Sequence, residues 1–595
     1  MKQHKRVFLY ALISVFTLGL MGCQPDSGVD GLIHGGYIYS ATDTTNATDT
    51  KDIQAVAFDE GKIVYVGNLT GAEALVGEST QIIDLKGGML MPGLIDAHVH
   101  PLLYALFSSY PSLQPASNVD ELIALMKTYE KDTPSSNWVI GFGFPIGMFS
   151  DDMPTKEILD EHFPNRPVAL ISHHMHVWWL NSAALEDANI TAETADPQGG
   201  FIHRVPGSQE PSGILEDQAN FNLIMNNSRL LPSYQTMYRQ FQAIFSEMAA
   251  QGYVAYMDAG VSRNDIALAY YLMNKFGLIK LKGNLAMIVM PDQGVERVRE
   301  IATVRQWLET DSLRYDVAKF WIDGMIDNRH AYMKAPYENT TNRGQAYFNT
   351  EIIKEYIRAA EAEDLNTHLH VIGDAALGES VDAFSELSET MSFSKRHYFT
   401  HLQVADSSDI KRIADLNLGI NISPSWARRD LPSSNGKPVD LNDIEHAIGP
   451  RLHNHRLYLP FKTMYDSGAR ITAGSDYPFT TLNPFEAIEV GMTRQYYGNG
   501  STGPIPDAIQ PDQRVSLEHL LRSNTIEAAY QLGREDELGS IEVGKSASFT
   551  LVDRNLFATQ PADIGKTVVT MTIIDGETVY EKRWALKPCS KLIRL

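Results

Sequence analysis

At 595 residues the chain exceeds one ordinary domain, yet it stays within what an α/β barrel with additions can absorb. Its 73 acidic residues outnumber 50 Lys and Arg, for a formal charge of -23, and no basic run follows the first residues, which argues against a polyanionic partner such as DNA or RNA. The acidity reads as a solubility feature and does not identify a substrate.

Taken in chain order, residues 1–22 are not part of the fold. Lys2, His4, Lys5 and Arg6 make a basic start, Val7 to Leu20 is apolar, and Leu20-Met21-Gly22-Cys23 follows. This resembles a bacterial lipoprotein signal peptide whose lipid-accepting cysteine, Cys23, becomes the mature N-terminus. The apolar run falls short of the ~20 residues of a spanning helix, so lipid on Cys23, rather than a transmembrane segment, is the expected membrane contact. Gln24 after the cysteine fits sorting to the periplasm-facing outer membrane in a Gram-negative host. Cys589, the other cysteine, has no partner left for an intramolecular disulfide.

Residues 23–90 contain short β-rich runs, Gln54 to Phe58 and Lys62 to Val66, set off by a polar stretch from Thr42 to Asp52. Met91 to His100 is then an apolar run that opens with Pro92-Gly93 as a turn and ends in His98-Val99-His100. On a strand, residues i and i+2 share a face, so both imidazoles can reach one ion. From there to about 535, apolar strands alternate with amphipathic helices, the pattern of a parallel sheet built from βαβ units. Eight strands are predicted to end near His100, Asp258, Met290, Asp323, His370, His401, Pro424 and Asp476.

The segment of about 102–251 is too long for an ordinary βα connection and is read as a large insertion after the first barrel strand, placed to form a lid or pocket wall. It carries His173-His174-Met175-His176-Val177-Trp178-Trp179-Leu180-Asn181. One reading is a structural turn; the other makes His176, Trp179 and Asn181 line a substrate pocket. Trp426, Tyr477 and Arg451 stand near later strand ends and are further substrate-binding candidates. Residues 536–595 return to β-rich runs at Ser548 to Val552, Val568 to Ile574 and Thr578 to Tyr580. No phosphate-binding Gly-rich loop and no Gly-x-Ser-x-Gly elbow is present, so nucleotide chemistry and serine hydrolysis are not expected.

Two His, one Lys, two more His and one Asp thus arrive at successive strand ends: His98, His100, Lys319, His370, His401 and Asp476. With Asn181-Ser182-Ala183-Ala184-Leu185, Asp323-Gly324, Gly373-Asp374, Gly474-Ser475-Asp476-Tyr477-Pro478 and Leu538 to Ala547, they resemble the metal-dependent amidohydrolase superfamily, and within it the YtcJ-like branch that includes N-substituted formamide deformylase. The resemblance covers about Gly31 to Tyr580. It implies a (β/α)8 TIM-type barrel beside a small β-sandwich built from both terminal regions. It also implies one or two divalent ions, zinc being expected, on those six residues.

Lys319 lies inside a buried strand, where an ammonium is costly unless paired and would be repelled by cations. The resemblance implies its carbamylation to an anionic ligand bridging two metals; a salt-bridged lysine at a one-metal centre is the alternative. Asp476 is the expected proton shuttle of a metal-activated hydroxide, against a role as helix cap. Asp96, Asp323 and Asp374 are expected to orient histidines and loops.

The activity implied is hydrolysis of a C–N bond in a small amide, formamide, N-acyl or cyclic amide compound. An ester or phosphoester at the same centre and a binding lipoprotein without turnover are the alternatives; a homo-oligomer is compatible with each. Thr400 stands where the branch often has glutamate, and Ser423-Pro424-Ser425 replaces a Gln-Pro pattern.

Overall fold

The computed structural model describes residues 28–42, 53–132, 137–145, 148–149, 153–173, 175–429, 447–449, 458–495 and 507–582. Residues 1–27 with the expected lipid-accepting Cys23, and Arg451 and Cys589, lie outside the described residues. Eight strands form the barrel: β1 (Leu94–Val99), β2 (Tyr253–Val261), β3 (Lys282–Val289), β4 (Leu313–Trp321), β5 (Asn366–Val371), β6 (His397–His401), β7 (Gly419–Ile422) and β8 (Arg470–Ala473). They lie in chain order, each parallel to the next. Most of their residues are buried on both faces, which is why their sequences read as continuous apolar runs. Amphipathic helices such as Thr350–Ala362 and Asp374–Ser388 cover the outside.

The seam between β8 and β1 has no ladder. It is closed by Asp476 N–H donating to the His98 carbonyl at 2.8 Å, His100 N–H to the Tyr477 carbonyl at 2.9 Å, and Ser475 N–H to Asp96 Oδ1 at 2.9 Å. Gly474 packs so closely here that a Cβ on it would fall 2.4 Å from that of His98.

Both chain ends build the sandwich. Lys62–Gly67, Ala55–Asp59, Gly31–His34 and Gln81–Asp84 form one sheet in that order, and Tyr37–Ile38, Met89–Pro92, Phe549–Val552, Val569–Ile574 and Glu577–Glu581 the other. Ile33, Phe58, Leu90, Ile541, Phe549 and Ile573 share the core between them. Met91 and Pro92 therefore belong to a sandwich strand rather than to the start of the barrel, and Pro92-Gly93 is no turn. The chain passes through the single residue Gly93, where a Cβ would meet Val254 Cγ1 at 2.3 Å, into β1. Thr550 Oγ1 ties the two bodies together, donating to the Gly252 carbonyl at 2.6 Å and accepting from Leu94 N–H at 3.2 Å.

Between β1 and β2 the insertion forms its own sheet, in the order Gly200–Arg204, Pro211–Asp217, Val177–Leu180, Val168–Ser172 and Val139–Phe144. A separate core of Leu122, Met126, Phe144, Leu159, Trp179 and Ile214 supports it.

Candidate metal centre

His98 and His100, on one face at the end of β1, bring their Nε2 atoms within 3.2 Å of each other. Both point at Asp476 Oδ1, at 3.5 Å from His98 and 3.2 Å from His100. His401, ending β6, has its ring centroid 4.9 Å from that of His98, and one donor atom from each of His98, His401 and Asp476 falls within 4.8 Å of the others. The His370 ring lies 4.7 Å from His401, and Lys319 on β4 is 1% exposed in the same cavity.

Burial, reinforced by Lys319 and by neighbouring imidazoles, holds His98, His370 and His401 far below the ordinary histidine range. They are neutral, with lone pairs to offer. Burial likewise brings Lys319 down to about 7, the Asp476 carboxylate acting in the opposite sense.

His100 Nδ1, His370 Nε2 and His401 Nδ1 are buried with no hydrogen-bond partner among the described residues. Each such atom costs about 1–3 kcal/mol unless a ligand completes it. Converging neutral imidazole nitrogens beside one carboxylate are the donor set that suits a divalent ion of the zinc type.

A polar layer beneath the centre sets the ring of His98. Its Nδ1 lies 2.9 Å from His368 Nε2 and 3.0 Å from Thr400 Oγ1. Thr400 donates to Asn421 Oδ1 at 3.2 Å, Asn421 Nδ2 to Thr472 Oγ1 at 2.9 Å, and Thr472 to Gln531 Oε1. Gln531 Nε2 in turn bonds the Ala97 carbonyl at 3.0 Å. Thr400 thus occupies a defined place in this chain of hydrogen bonds.

Asp96 Oδ1 accepts the N–H groups of Ser475 and His98, and Asp323 those of Tyr332, Ile372 and Gly373. Burial pushes both carboxyls up to about 7. Asp374 accepts Lys334 N–H at 2.8 Å. Five non-glycine residues around the cavity have left-handed φ: Met175 (67°), Asp217 (50°), His401 (77°), Leu402 (45°) and Asp476 (57°). Such backbone strain persists where the surroundings over-determine a functional geometry.

The cavity above the centre measures about 240 Å³. Trp426 lines it, its ring stacked on His401 with centroids 4.9 Å apart and planes 3° from parallel. His176 reaches it from the insertion, with Nδ1 2.5 Å from Asp217 Oδ1.

Three pocket expectations are corrected. Trp179 is fully buried in the insertion core and donates Nε1–H to the Thr155 carbonyl at 3.0 Å. Asn181 is a buried helix cap: Oδ1 accepts from Val168 and Ala184 N–H, and Nδ2 donates to the Phe163 and Arg166 carbonyls. Tyr477 packs on Tyr104, with centroids 5.6 Å apart, while its neighbours Phe479 and Thr480 line the cavity in its place.

Sequence reading also missed His368, although it repeats the His-x-His spacing of β1, and it missed the partners of His176. Asp217 receives His176, His330 and, at 2.9 Å, the Tyr347 hydroxyl. Although burial opposes it, the shared carboxylate raises both histidines above their ordinary range.

The architecture and the centre can be set against known proteins. A model of the amidohydrolase family matches residues 81–580. The chain belongs to that family. This amidohydrolase is 25% identical over 558 residues to the putative amidohydrolase YtcJ of Bacillus subtilis, spanning 92% of this chain and 99% of that one. It is 27% identical over 548 residues to the N-substituted formamide deformylase of Arthrobacter pascens, spanning 89% of this chain and 95% of the relative. The crystal structure of an uncharacterized metal-dependent hydrolase from Pyrococcus horikoshii shares the fold, with a TM-score of 0.68 at 19% identity over 89% of this chain and 99% of that one. The amidohydrolase is accordingly a metal-dependent hydrolase.

Proposed function

We propose that this amidohydrolase cleaves the C–N bond of a small amide, formamide, N-acyl or cyclic amide compound. The observation that carries the reading is Asp476 Oδ1 facing two histidine Nε2 atoms at the floor of the cavity. The name of the deformylase relative supports it.

His98, His100, Lys319, His370, His401 and Asp476 would hold one or two divalent ions, zinc being the expected one. Such an ion supplies Lewis-acid polarisation of the scissile carbonyl and acidification of water. Asp476 takes the proton from the attacking water and later delivers it to the leaving nitrogen, so that a neutral amine departs. Trp426 fixes the His401 ring by stacking and walls the cavity. His176, held by Asp217, faces the substrate from the insertion.

Lys319, brought down to about 7 by burial, keeps part of its amine neutral at ordinary pH. A neutral amine is the form that adds CO2, giving a carbamate with release of one proton. Elemental analysis of protein purified without chelators is expected to give about two ions per chain, as in two-metal hydrolases. One ion in the wild type would leave Lys319 outside the ligand set. Zinc-loaded protein tested against formamides, N-acyl amino acids, cyclic amides, esters and phosphoesters is expected to turn over the C–N substrates; ester or phosphoester turnover alone would displace the reading.

We further propose a lipid anchor on Cys23, resting on the Leu20 to Cys23 sequence. Radiolabelled palmitate incorporation that is lost in Cys23→Ala is the expected result.

A further inference from the structure

Gln403 and Ser425 stand just beyond β6 and β7, and both line the cavity. They are 5% and 2% exposed, yet Gln403 Oε1 and Ser425 Oγ have no hydrogen-bond partner among the described residues. Neither residue is a metal-ligand type of the centre described above. Their backbones are fixed. The carbonyl of Gln403 accepts Leu459 N–H at 2.7 Å, the next residue's N–H donates to the Ile372 carbonyl at 2.9 Å, and the left-handed pair His401 and Leu402 turns the chain immediately before. Ser425 sits in the single turn Pro424–Trp426, whose Trp426 is stacked on His401.

Buried polar atoms without partners lose their hydration and recover nothing, unless a ligand completes them. The two atoms share one chemistry, since each can accept a hydrogen bond. Gln403 Oε1 only accepts, whereas Ser425 Oγ can accept or donate, so the group that both fit is a donor; the N–H beside the scissile carbonyl of an amide is such a donor, and an ester has none.

We propose that Gln403 Oε1, together with Ser425 Oγ, accepts the N–H of the scissile amide, making this pair the element that selects N–H-bearing amides over esters and N,N-disubstituted amides. The assignment rests on the C–N hydrolase reading. It is a strong discriminator in principle: a site built to hydrogen-bond a substrate N–H rejects an analogue lacking it by about 10⁴–10⁵, against about 10–200 for one methylene in an apolar pocket.

The test uses the zinc-loaded full chain and isothermal titration calorimetry with benzohydroxamic acid and N-methylbenzohydroxamic acid. Both present a metal-binding oxygen pair, and only the first has an N–H. Wild type is expected to bind the N–H probe at least about tenfold more tightly, and Gln403→Met and Ser425→Ala to narrow that gap to about threefold or less with zinc content unchanged. The steric cost of the N-methyl group is common to all three proteins, so the change between them isolates the hydrogen bond.

Because each substitution removes an unpartnered polar atom, Tm is expected to hold or rise; a merely structural role would lower it. Equal affinities in wild type, a gap preserved in both variants, or binding of neither probe would overturn the proposal. Amide turnover without N–H discrimination would remove this inference and leave the hydrolase reading standing. Discrimination without turnover of any amide would remove the hydrolase reading and leave a binding site for N–H-bearing ligands.

Discussion

Asp476 is placed to carry two duties, as a donor atom beside His98 and His100 and as the proton carrier of the reaction. Asp476→Asn keeps an oxygen at the position and removes the basicity, so kcat is expected to fall by at least about 10²-fold, the scale of general acid–base catalysis, with metal content largely retained. Inductively coupled plasma analysis beside the rate assay checks both halves, and a rate within a few-fold of wild type would end the shuttle role.

Asp217 gives a prediction with a pH signature. His176 and His330 are raised by it, so their contribution to stability is full below the unfolded histidine value of about 6.5 and is lost as pH rises through their folded values. Asp217 itself is lowered, so its contribution is present above about 3.9 and is lost in acid. The Tm deficit of Asp217→Asn should therefore be largest between about pH 4 and 6.5 and shrink toward alkaline pH. A deficit independent of pH would mean that packing, not charge, holds the trio.

At the scale of elements, the period of a strand explains what the sequence disclosed and what it hid. His98 and His100 were legible because the two-residue repeat needs only one strand to be identified. The same repeat misled at Val177–Leu180. That strand is central in a sheet buried on both faces, so Trp178 enters the barrel-side core and Trp179 the insertion core, and from this stretch it is His173, Met175 and His176, all before the strand, that reach the cavity.

Asn181 was expected to line the pocket, whereas its four side-chain bonds are all to backbone of the insertion. Asn181→Ala should cost about 2–4 kcal/mol through the lost cap and stranded backbone groups, read by denaturant unfolding, with kcat/KM changed only in proportion to folded protein. Asp217 could not be read as the partner of His176 at all. Their meeting depends on the antiparallel register of Val177 with Glu216, which is tertiary information.

The whole molecule is two bodies that share one chain twice. Strand Met89–Pro92 pairs with Phe549–Val552, so the sandwich cannot be completed until the barrel between them has been synthesised. Thr550 is one of the polar links across their boundary, beside Thr572, whose Oγ1 donates to the Ala249 carbonyl at 2.7 Å. Thr550→Val keeps the shape and strands the Gly252 carbonyl and Leu94 N–H in part, so a loss of about 1–3 kcal/mol is expected, with calorimetry showing the two bodies beginning to melt apart. A single unshifted transition would show that the remaining contacts couple them.

The unladdered seam between β8 and β1 has a consequence for biogenesis. His98 and His100 leave the ribosome early, but the carboxylate they face lies beyond the last barrel strand, and its backbone N–H is one of the few bonds that closes the ring. A nascent chain halted anywhere before Asp476 holds histidines with no completed cage. The full donor set is therefore complete only once the whole barrel has been synthesised, and an ion held by it would link the first strand to the last. Chelation should then loosen this seam before any other part of the barrel, with amide hydrogen exchange rising first at Ser475, Asp476 and His100.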